Sequence, residues 1–417
     1  MSALATIAYV VVSIGLCSPP PAPHTVGVEF GQAMSAFVNS ARRAQSGLQP
    51  QLRVVHFGDS NIAARAWSEA VALHLSPLAS PGGPGYLLPK PGRTIRSGGV
   101  TVTSGTRWKW RQARFRGSRI DVGDGMLGLM GAALDSAGNK ALLDVRIAPG
   151  TPMTVDIIAL CRPKGGSLMI HSGRDVRQLK TDCVRPGVVR ASFALAGDRA
   201  RLKVKARGGP VRVLGVSAER PGGGLVYDIL GVNGHQASAF GRWDASIIGS
   251  QLRRRRPDLV VISYGGNEAF NPELSMPAYR ALLEYTVARV RLLAPDAACM
   301  LTAPIATCPR GRVAAVTPRI EAIIGIQRLV ARESGCGFWD TAAVFGGAGA
   351  LCPWTMARPA MVAADGMHLT RRGYRLLGAL LGDALMALVR GPEHAPRRMD
   401  TESSPRIHRP LHLQEMP

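Results

Sequence analysis

Three short strings in the sequence carry side chains that could together perform acyl-transfer chemistry. Each follows a hydrophobic run at a turn, and they are Gly58-Asp59-Ser60, Gly265-Gly266-Asn267 and Asp365-Gly366-Met367-His368. A serine is a weak nucleophile until a base removes its proton, and histidine has the basicity for this near neutral pH. We therefore predict that Ser60 is the nucleophile, His368 its base and Asp365 the carboxylate that orients the imidazole.

The oxyanion formed in such a reaction needs fixed hydrogen-bond donors. The predicted donors are the backbone N–H of Ser60, the side-chain amide of Asn267 and a backbone N–H in the string 231–235. Within that string Gly234 is preferred, because glycine lets the backbone approach a substrate closely, and Gly231 is the alternative. His235 is expected either to contact the substrate or to lie at the loop surface, whereas Asp59 and His56 are expected to be structural.

The elements that must position these residues are readable from the hydrophobic pattern. Short apolar runs predict strands at 52–57, 226–230, 259–263, 300–302 and 337–340, and helical spacing predicts helices at 30–43, 61–75, 276–293, 320–333 and 369–389. Because strands alternate with helices, we expect an α/β fold with a parallel sheet covered on both faces. The candidate residues would then lie at the carboxyl ends of strands, where open α/β sheets bind ligands.

A region of different character interrupts this pattern. Its short runs alternate apolar and polar residues between Gly- and Pro-rich turns, which is typical of a β-sandwich. The predicted segments are a leader at 1–24, the α/β domain in two parts at 25–96 and 223–390, the inserted sandwich at 97–222 and a disordered basic tail at 391–417.

The start of the chain and its cysteines indicate export. The apolar stretch at 1–16 is too short to span a bilayer comfortably and is typical of a signal-peptide core. Cys17 is a candidate for lipid attachment, and a buried N-terminal helix is the remaining alternative. The other six cysteines are an even number without zinc-site spacing, which favours the periplasm or the cell exterior.

The net charge of +23 predicts attraction to polyanions, with only seven of the 51 basic residues being lysine. The one tight basic run, 253–256, ends a predicted helix, where cations complement the helix dipole. The sequence has no recognition helix or aromatic-basic interleaving for nucleic acid. We therefore expect attraction to an anionic cell envelope and no specific nucleic-acid binding. The oligomeric state is not predicted.

The strings resemble the four conserved blocks of the SGNH (GDSL) hydrolase superfamily, in the family's order. The resemblance covers roughly 51–75 and 225–389, departs from the usual Leu at Asn61, and implies a three-layer, flavodoxin-like fold. The positions that match the family's roles are the nucleophile Ser60, the oxyanion residues Gly234 and Asn267, and the dyad Asp365 and His368.

A narrower resemblance is to exported peptidoglycan O-acetylesterases. The matching strings are 264–269, 338–340, 346–349 followed by Trp354, and 365–370 leading to Gly373-Tyr374. Members of that branch carry a sandwich resembling a carbohydrate-binding module at the position of the insertion here. The resemblance implies a serine esterase that removes acetyl groups from cell-wall glycan without metal or organic cofactor. Trp354 could line the sugar pocket, with a place in the core as its alternative.

The sheet order implied by the fold, 2-1-3-4-5, bears on the cysteines. It places Cys299 and Cys336 together at the amino edge, whereas Cys308 and Cys352 fall in loops at the catalytic edge. We predict the pairs Cys308–Cys352 and, inside the sandwich, Cys161–Cys183. A bridge between Cys299 and Cys336 stays open, because bridges between adjacent strands are often strained.

Other functions are compatible with the same residues. A lipase or thioesterase would use the same triad with longer acyl chains, and an O-acetyltransferase would pass the acyl group to a sugar hydroxyl. A non-catalytic protein could bind envelope glycan through the sandwich and the positive charge. DNA binding ranks last.

Overall fold

The computed structural model describes residues 22–391 apart from 117–118, 137–139 and 198–199. Most of the predicted leader, including Cys17, and the predicted tail beyond Gly391 lie outside these residues. In the described part the helices are α1 (Ser35–Gln45), α2 (Ser60–Ala63), α3 (Ala66–His74), α4 (Ala245–Arg255), α5 (Gly266–Ala269), α6 (Met276–Leu293), α7 (Thr317–Glu333), α8 (Cys352–Thr355) and α9 (Arg371–Arg390).

The strands follow the predicted division into two kinds of sheet. In chain order they are β1 (Gln51–Gly58), β2 (Gly85–Leu87), β3 (Thr94–Ser97), β4 (Val100–Ser104), β5 (Lys109–Gln112), β6 (Arg114–Arg116), β7 (Arg119–Asp121), β8 (Ala132–Ser136), β9 (Leu142–Ile147), β10 (Met153–Cys161), β11 (Ser167–Ser172), β12 (Asp175–Lys180), β13 (Gly187–Leu195), β14 (Arg201–Arg207), β15 (Val211–Glu219), β16 (Gly224–Gly231), β17 (Leu259–Ser263), β18 (Ala298–Thr302) and β19 (Gly337–Trp339).

The parallel sheet has the order β16-β1-β17-β18-β19. Counted along the chain this is the 2-1-3-4-5 order that the resemblance implies, so the prediction is confirmed. Strand β1 pairs in parallel with β16 on one side and β17 on the other. Helices α1 and α3 pack against α9, while α4 and α7 pack against α6, which gives the three layers. Strands β16 and β17 are buried along their whole length because helices cover both faces of the sheet.

One predicted helix is interrupted. The segment expected to be a single helix at 61–75 is split into α2 and α3, because Arg65 has φ +66°, a left-handed value that no helix interior accommodates. The Arg65 guanidinium binds Glu69 and Ser97, which holds the break in place. The break allows α3 to leave the Ser60 turn in a new direction and pack on α9.

Two six-stranded antiparallel sheets and the two-stranded sheet β6-β7 form between α3 and β16. One has the order β13-β10-β15-β8-β5, with β2 also paired to β15, and the other has the order β12-β11-β14-β9-β4-β3. Strand β14 alternates buried and exposed residues, as expected for a sheet with one face in a core. The domain division stays a prediction, and β2 and β3 of the antiparallel sheets both begin before its boundary at 97.

Three disulfides connect the described cysteines. The predicted pairs Cys161–Cys183 and Cys308–Cys352 are confirmed. The pair left open, Cys299–Cys336, is also bonded, because β18 and β19 are neighbours whose amino ends lie together. No helix of residues 22–391, within the parts described, is long and apolar enough to cross a membrane.

Candidate active site

The Ser60 turn is built by close packing at the end of β1. A side chain at Gly58 would collide with Ile62, so glycine is needed for α2 to begin directly after the strand. Asp59 caps α2 by accepting the backbone N–H of Asn61 at 2.9 Å. Ser60 is therefore the first residue of α2, partly exposed at the carboxyl edge of the central strand.

The structure brings the three residues of the predicted triad together. Ser60 Oγ lies 2.9 Å from His368 Nε2, and His368 Nδ1 lies 2.7 Å from Asp365 Oδ2. Both distances are those of hydrogen bonds, so an imidazole with its proton on Nδ1 can accept the serine proton at Nε2.

The Asp365 carboxylate also folds its own turn. Its Oδ1 accepts the backbone N–H groups of Met367 at 3.0 Å and His368 at 2.9 Å. Partial burial would raise the pKa of Asp365, but these N–H groups and the imidazole stabilise the charged form and lower it. Because Asp365 lies three residues before His368, its carboxylate can both close the turn and orient the imidazole.

Neighbouring loops fix this turn in space. Gly366, with φ +69°, accepts the backbone N–H of Cys308 at 2.9 Å, and His368 accepts that of Ala363 at 2.8 Å. Because Cys308 is bonded to Cys352, the disulfide holds the loop against which the acid/base turn rests.

Two backbone donors are available beside Ser60. In the described part of the chain, the N–H groups of Ser60 and Gly234 donate to no other residue. Gly234 has φ +79°, and a side chain there would meet nothing within 4 Å, so this backbone faces open space. A side chain at Gly231, by contrast, would collide with the backbone of Ala63. Of the two glycines named in the sequence analysis, Gly234 is the one with open space beside its backbone, and its role as an oxyanion donor stays a prediction.

Asn267 lies at the carboxyl end of β17, in the short helix α5 that Gly265 opens with φ +117°. Its Nδ2 donates to the carbonyl oxygen of His235 at 2.9 Å and to Asp59 Oδ2 at 3.3 Å. The amide therefore ties together the loops after β1, β16 and β17, and it lies near Ser60.

Two buried carboxylates support this arrangement. Burial raises the pKa of Asp59 to about 6, against the opposing effect of the Asn61 N–H groups. Burial likewise raises the pKa of Glu268 to about 7, although Glu268 accepts the backbone N–H groups of Ala237 at 2.7 Å and Gly265 at 3.0 Å. Both groups are held by backbone or amide donors, which is typical of positioning residues.

The other candidate side chains lie inside the protein. His235 has no exposed surface and packs against Phe115 and Trp243, so the alternative of a position at the loop surface is wrong. Its buried side chain gives no support to the predicted contact with the substrate either. Trp354 is also buried, with its ring edge-on to Phe345, in agreement with the alternative of a core position. His56 is buried too, and burial lowers its pKa to about 3, as expected of a structural histidine.

A cleft of 270 Å³ adjoins the loop that carries Gly234. Its walls come from both the α/β layers and the antiparallel sheets, and they include Arg65, Lys90, Arg93, Trp110 and Asn233. The Lys90 ammonium lies 5.8 Å from the centre of the Trp110 ring. The cleft therefore combines an aromatic surface with positive charge.

Two further residues support the site, Asn61 and Glu268, and the sequence motifs do not assign a role to either. Asn61 donates to Asp59 at 3.1 Å and accepts the Tyr374 hydroxyl at 2.7 Å, which connects the nucleophile turn to α9. In the sequence Asn61 stands out only as a departure from the family motif, and its polar side chain is the signal that it has a hydrogen-bond partner. Glu268 follows Asn267 directly, and its place in the string 264–269 is its only signal in the sequence. No group of three or more described His, Cys, Asp or Glu side chains could hold a metal ion.

Comparisons with known proteins agree with this site. Residues 197–376 match the family model of the GDSL-like Lipase/Acylhydrolase family, a stretch that contains Asn267, Asp365 and His368. A structure of a peptidoglycan O-acetylesterase superimposes with a TM-score of 0.72 at 22% identity, covering 88% of this chain and 99% of that one. No curated protein matches the chain.

Two further structures are similar over smaller parts. The lipase/acylhydrolase from Enterococcus faecalis has a TM-score of 0.30 at 20% identity, covering 39% of this chain and 75% of its own. A family two carbohydrate esterase from Clostridium thermocellum, in complex with cellohexaose, has a TM-score of 0.30 at 9% identity, covering 61% and 94%. Residues 197–376 therefore contain a domain that matches the GDSL-like Lipase/Acylhydrolase family, and the chain as a whole shares the fold of the first structure.

Proposed function

We propose that the chain is an exported serine esterase that removes O-acetyl groups from cell-wall glycan, with peptidoglycan as its substrate. The observation that carries the proposal is the hydrogen-bonded series Ser60–His368–Asp365 beside the free N–H groups of Ser60 and Gly234. The fold shared with a peptidoglycan O-acetylesterase supports the choice of substrate.

The geometry suits a two-step acyl transfer. Ser60 Oγ attacks the acetyl carbonyl while His368 Nε2 takes its proton, and Asp365 stabilises the imidazolium. The N–H groups of Ser60 and Gly234, with the Asn267 amide, bind the developing oxyanion. His368 returns the proton to the sugar oxygen as the C–O bond breaks, which leaves acetyl on Ser60. His368 then activates a water that releases acetate and restores the serine.

Solvent access favours hydrolysis over transfer to a second sugar. The side chains of His368 and Asp365 are 38% and 47% exposed, so water can reach the base in this structure. A transferase needs water excluded from the acyl-enzyme.

The surroundings of the site support a glycan substrate. The adjoining cleft presents the Trp110 ring beside Lys90 and Arg93, a combination that suits a sugar carrying carboxylates. The disulfides support an oxidising compartment, and the net charge of +23 supports attraction to an anionic envelope.

The test is acetate release from O-acetylated peptidoglycan by wild type and by Ser60→Ala, beside p-nitrophenyl esters of increasing chain length. We expect wild type alone to release wall acetate and to prefer acetyl over longer esters. Cleavage of long-chain esters without wall acetate release would favour a lipase or thioesterase. Equal behaviour of the two proteins would overturn the role of Ser60.

A further inference from the structure

A second cavity, of 660 Å³, lies at the opposite edge of the parallel sheet from Ser60. Gln51, at the amino end of β1, is part of its wall, whereas Ser60 follows the carboxyl end of the same strand. Helix α4 and strands β10, β13 and β15 contribute most of the other wall residues, so the cavity lies between the α/β layers and the antiparallel sheets. Its volume is that of a small-molecule site.

The wall of this cavity is dominated by arginine. The guanidinium groups come from Arg53, Arg190, Arg220, Arg253, Arg254, Arg255 and Arg256. Two carboxylates, Asp156 and Glu219, share the wall. The cavity therefore has far more positive than negative groups.

Only two of these arginines are neutralised. Arg53 and Arg255 both bind Glu219, and Arg255 also binds the buried Asp228 at 2.6 Å. Among the residues that the structure describes, the remaining five form no ion pair. They are Arg190, Arg220, Arg253, Arg254 and Arg256.

Arg190 shows that these charges act on one another. It belongs to β13 and lies near Arg254 and Arg255 of α4, and burial together with these two cations lowers its pKa. Asp156 opposes the shift only in part, and its Oδ1 accepts the hydroxyl of Ser192 at 2.5 Å. Like charges held together across two elements favour the binding of an anion between them.

We propose that this cavity binds an anion carrying two or more phosphate groups, held by the unpaired arginines of α4 and β13. The planar guanidinium group matches phosphate oxygens in pairs of hydrogen bonds. A phosphate group carries more negative charge and more acceptor oxygens than a carboxylate, so two or three phosphate groups can pair with all of these arginines. Because Ser60 lies at the other edge of the sheet, the bound anion leaves the ester site open.

Calorimetric titration of the full chain with sodium tripolyphosphate tests the proposal. The cavity variant is the double substitution Arg190→Gln and Arg254→Gln. The control is Arg174→Gln with Arg185→Gln, which removes the same charge from two exposed positions outside the cavity. We expect one site in wild type and control, with affinity at least about tenfold lower in the cavity variant, since each lost bidentate contact costs roughly that.

A second probe distinguishes phosphate on a membrane from phosphate in solution. It is co-sedimentation of the same proteins with vesicles of equal parts phosphatidylglycerol and phosphatidylcholine. Loss of binding to either probe in the cavity variant alone supports the site. Equal losses in cavity and control variants indicate general surface charge and overturn it, as does absence of binding to both probes.

A second measurement compares the melting temperature of the protein with and without the anion. Arg254→Gln alone should raise the melting temperature of the protein without anion, because it removes the like charge beside Arg190. The same substitution should shrink the rise that tripolyphosphate produces. A melting temperature that falls without anion, with an undiminished rise on its addition, contradicts the proposal. Hydrolysis of p-nitrophenyl acetate should be unchanged and serves as the check on folding.

Discussion

The amide nitrogen of Asn267 lies 3.3 Å from Oδ2 of Asp59, the residue that precedes the nucleophile. Its other hydrogen bond, to the carbonyl oxygen of His235, is shorter at 2.9 Å. Both amide hydrogens are therefore occupied before substrate binds. In the proposed role of oxyanion donor, Asn267 exchanges the longer of these two hydrogen bonds, to Asp59, for one to the substrate.

We expect Asn267→Ala to lower kcat by about 10²–10³ with little change in KM, because the lost donor acts mainly in the transition state. Initial rates with p-nitrophenyl acetate measure both constants. Asn39→Ala, at an exposed position of α1, is the matched control and should be neutral. A variant that loses substrate affinity at unchanged kcat would assign Asn267 to ground-state binding.

The raised pKa of Asp59, about 6, makes the stability depend on pH. Because the folded protein holds this proton more tightly than the unfolded chain does, stability falls as pH rises from about 4 through 6. Between pH 5 and pH 8, deprotonation of Asp59 lowers the free energy of unfolding by about 1.4 kcal/mol. Glu268, whose pKa is raised to about 7, lowers it further over the same range.

Urea unfolding of Asp59→Asn checks this expectation. Asparagine can still cap α2, so the variant should fold and lose less unfolding free energy than wild type between pH 5 and pH 8. An identical pH dependence in the two proteins would show that Asp59 titrates normally.

We expect Asp365→Asn to lower kcat by about 10²–10⁴, because an amide cannot hold the imidazole in the tautomer that accepts the serine proton. The solvent exposure of Asp365 favours the lower end of this range. The variant also loses charge-assisted bonds to two backbone N–H groups, so thermal melting must be recorded beside the rates. Activity within tenfold of wild type would exclude Asp365 as the orienting residue.

The disulfide Cys308–Cys352 should matter for catalysis as well as stability. Replacing both residues by serine should lower the unfolding free energy by about 2–4 kcal/mol and reduce kcat, because the loop beneath Gly366 is released. The pair Cys161–Cys183 is the control: its replacement should cost stability but leave kcat unchanged, since both residues lie in the sandwich region. Equal kcat in the two double variants would contradict the bracing role.

The fold and the triad were predictable because both depend on local patterns. Strand β17 at Leu259–Ser263 and helix α6 at Met276–Leu293 lie where their apolar spacing predicts them. Other features depend on contacts distant in sequence. His235 is buried because Phe115, from the antiparallel region, covers it, and no local pattern records that contact. The break at Arg65 depends likewise on Ser97, which lies beyond the following helix.

The position of the antiparallel sheets also bears on the order in which the protein can fold. Strand β1 carries the nucleophile turn, yet both of its neighbours, β16 and β17, follow the whole inserted region in the chain. During synthesis, Ser60 emerges long before His368, and the central strand β1 has no partner until strands distant in sequence have been made. Such non-local pairing is slow and leaves an aggregation-prone segment exposed. Hydrolytic activity therefore arises only once almost the entire chain has emerged, which delays any action on esters until the enzyme has matured.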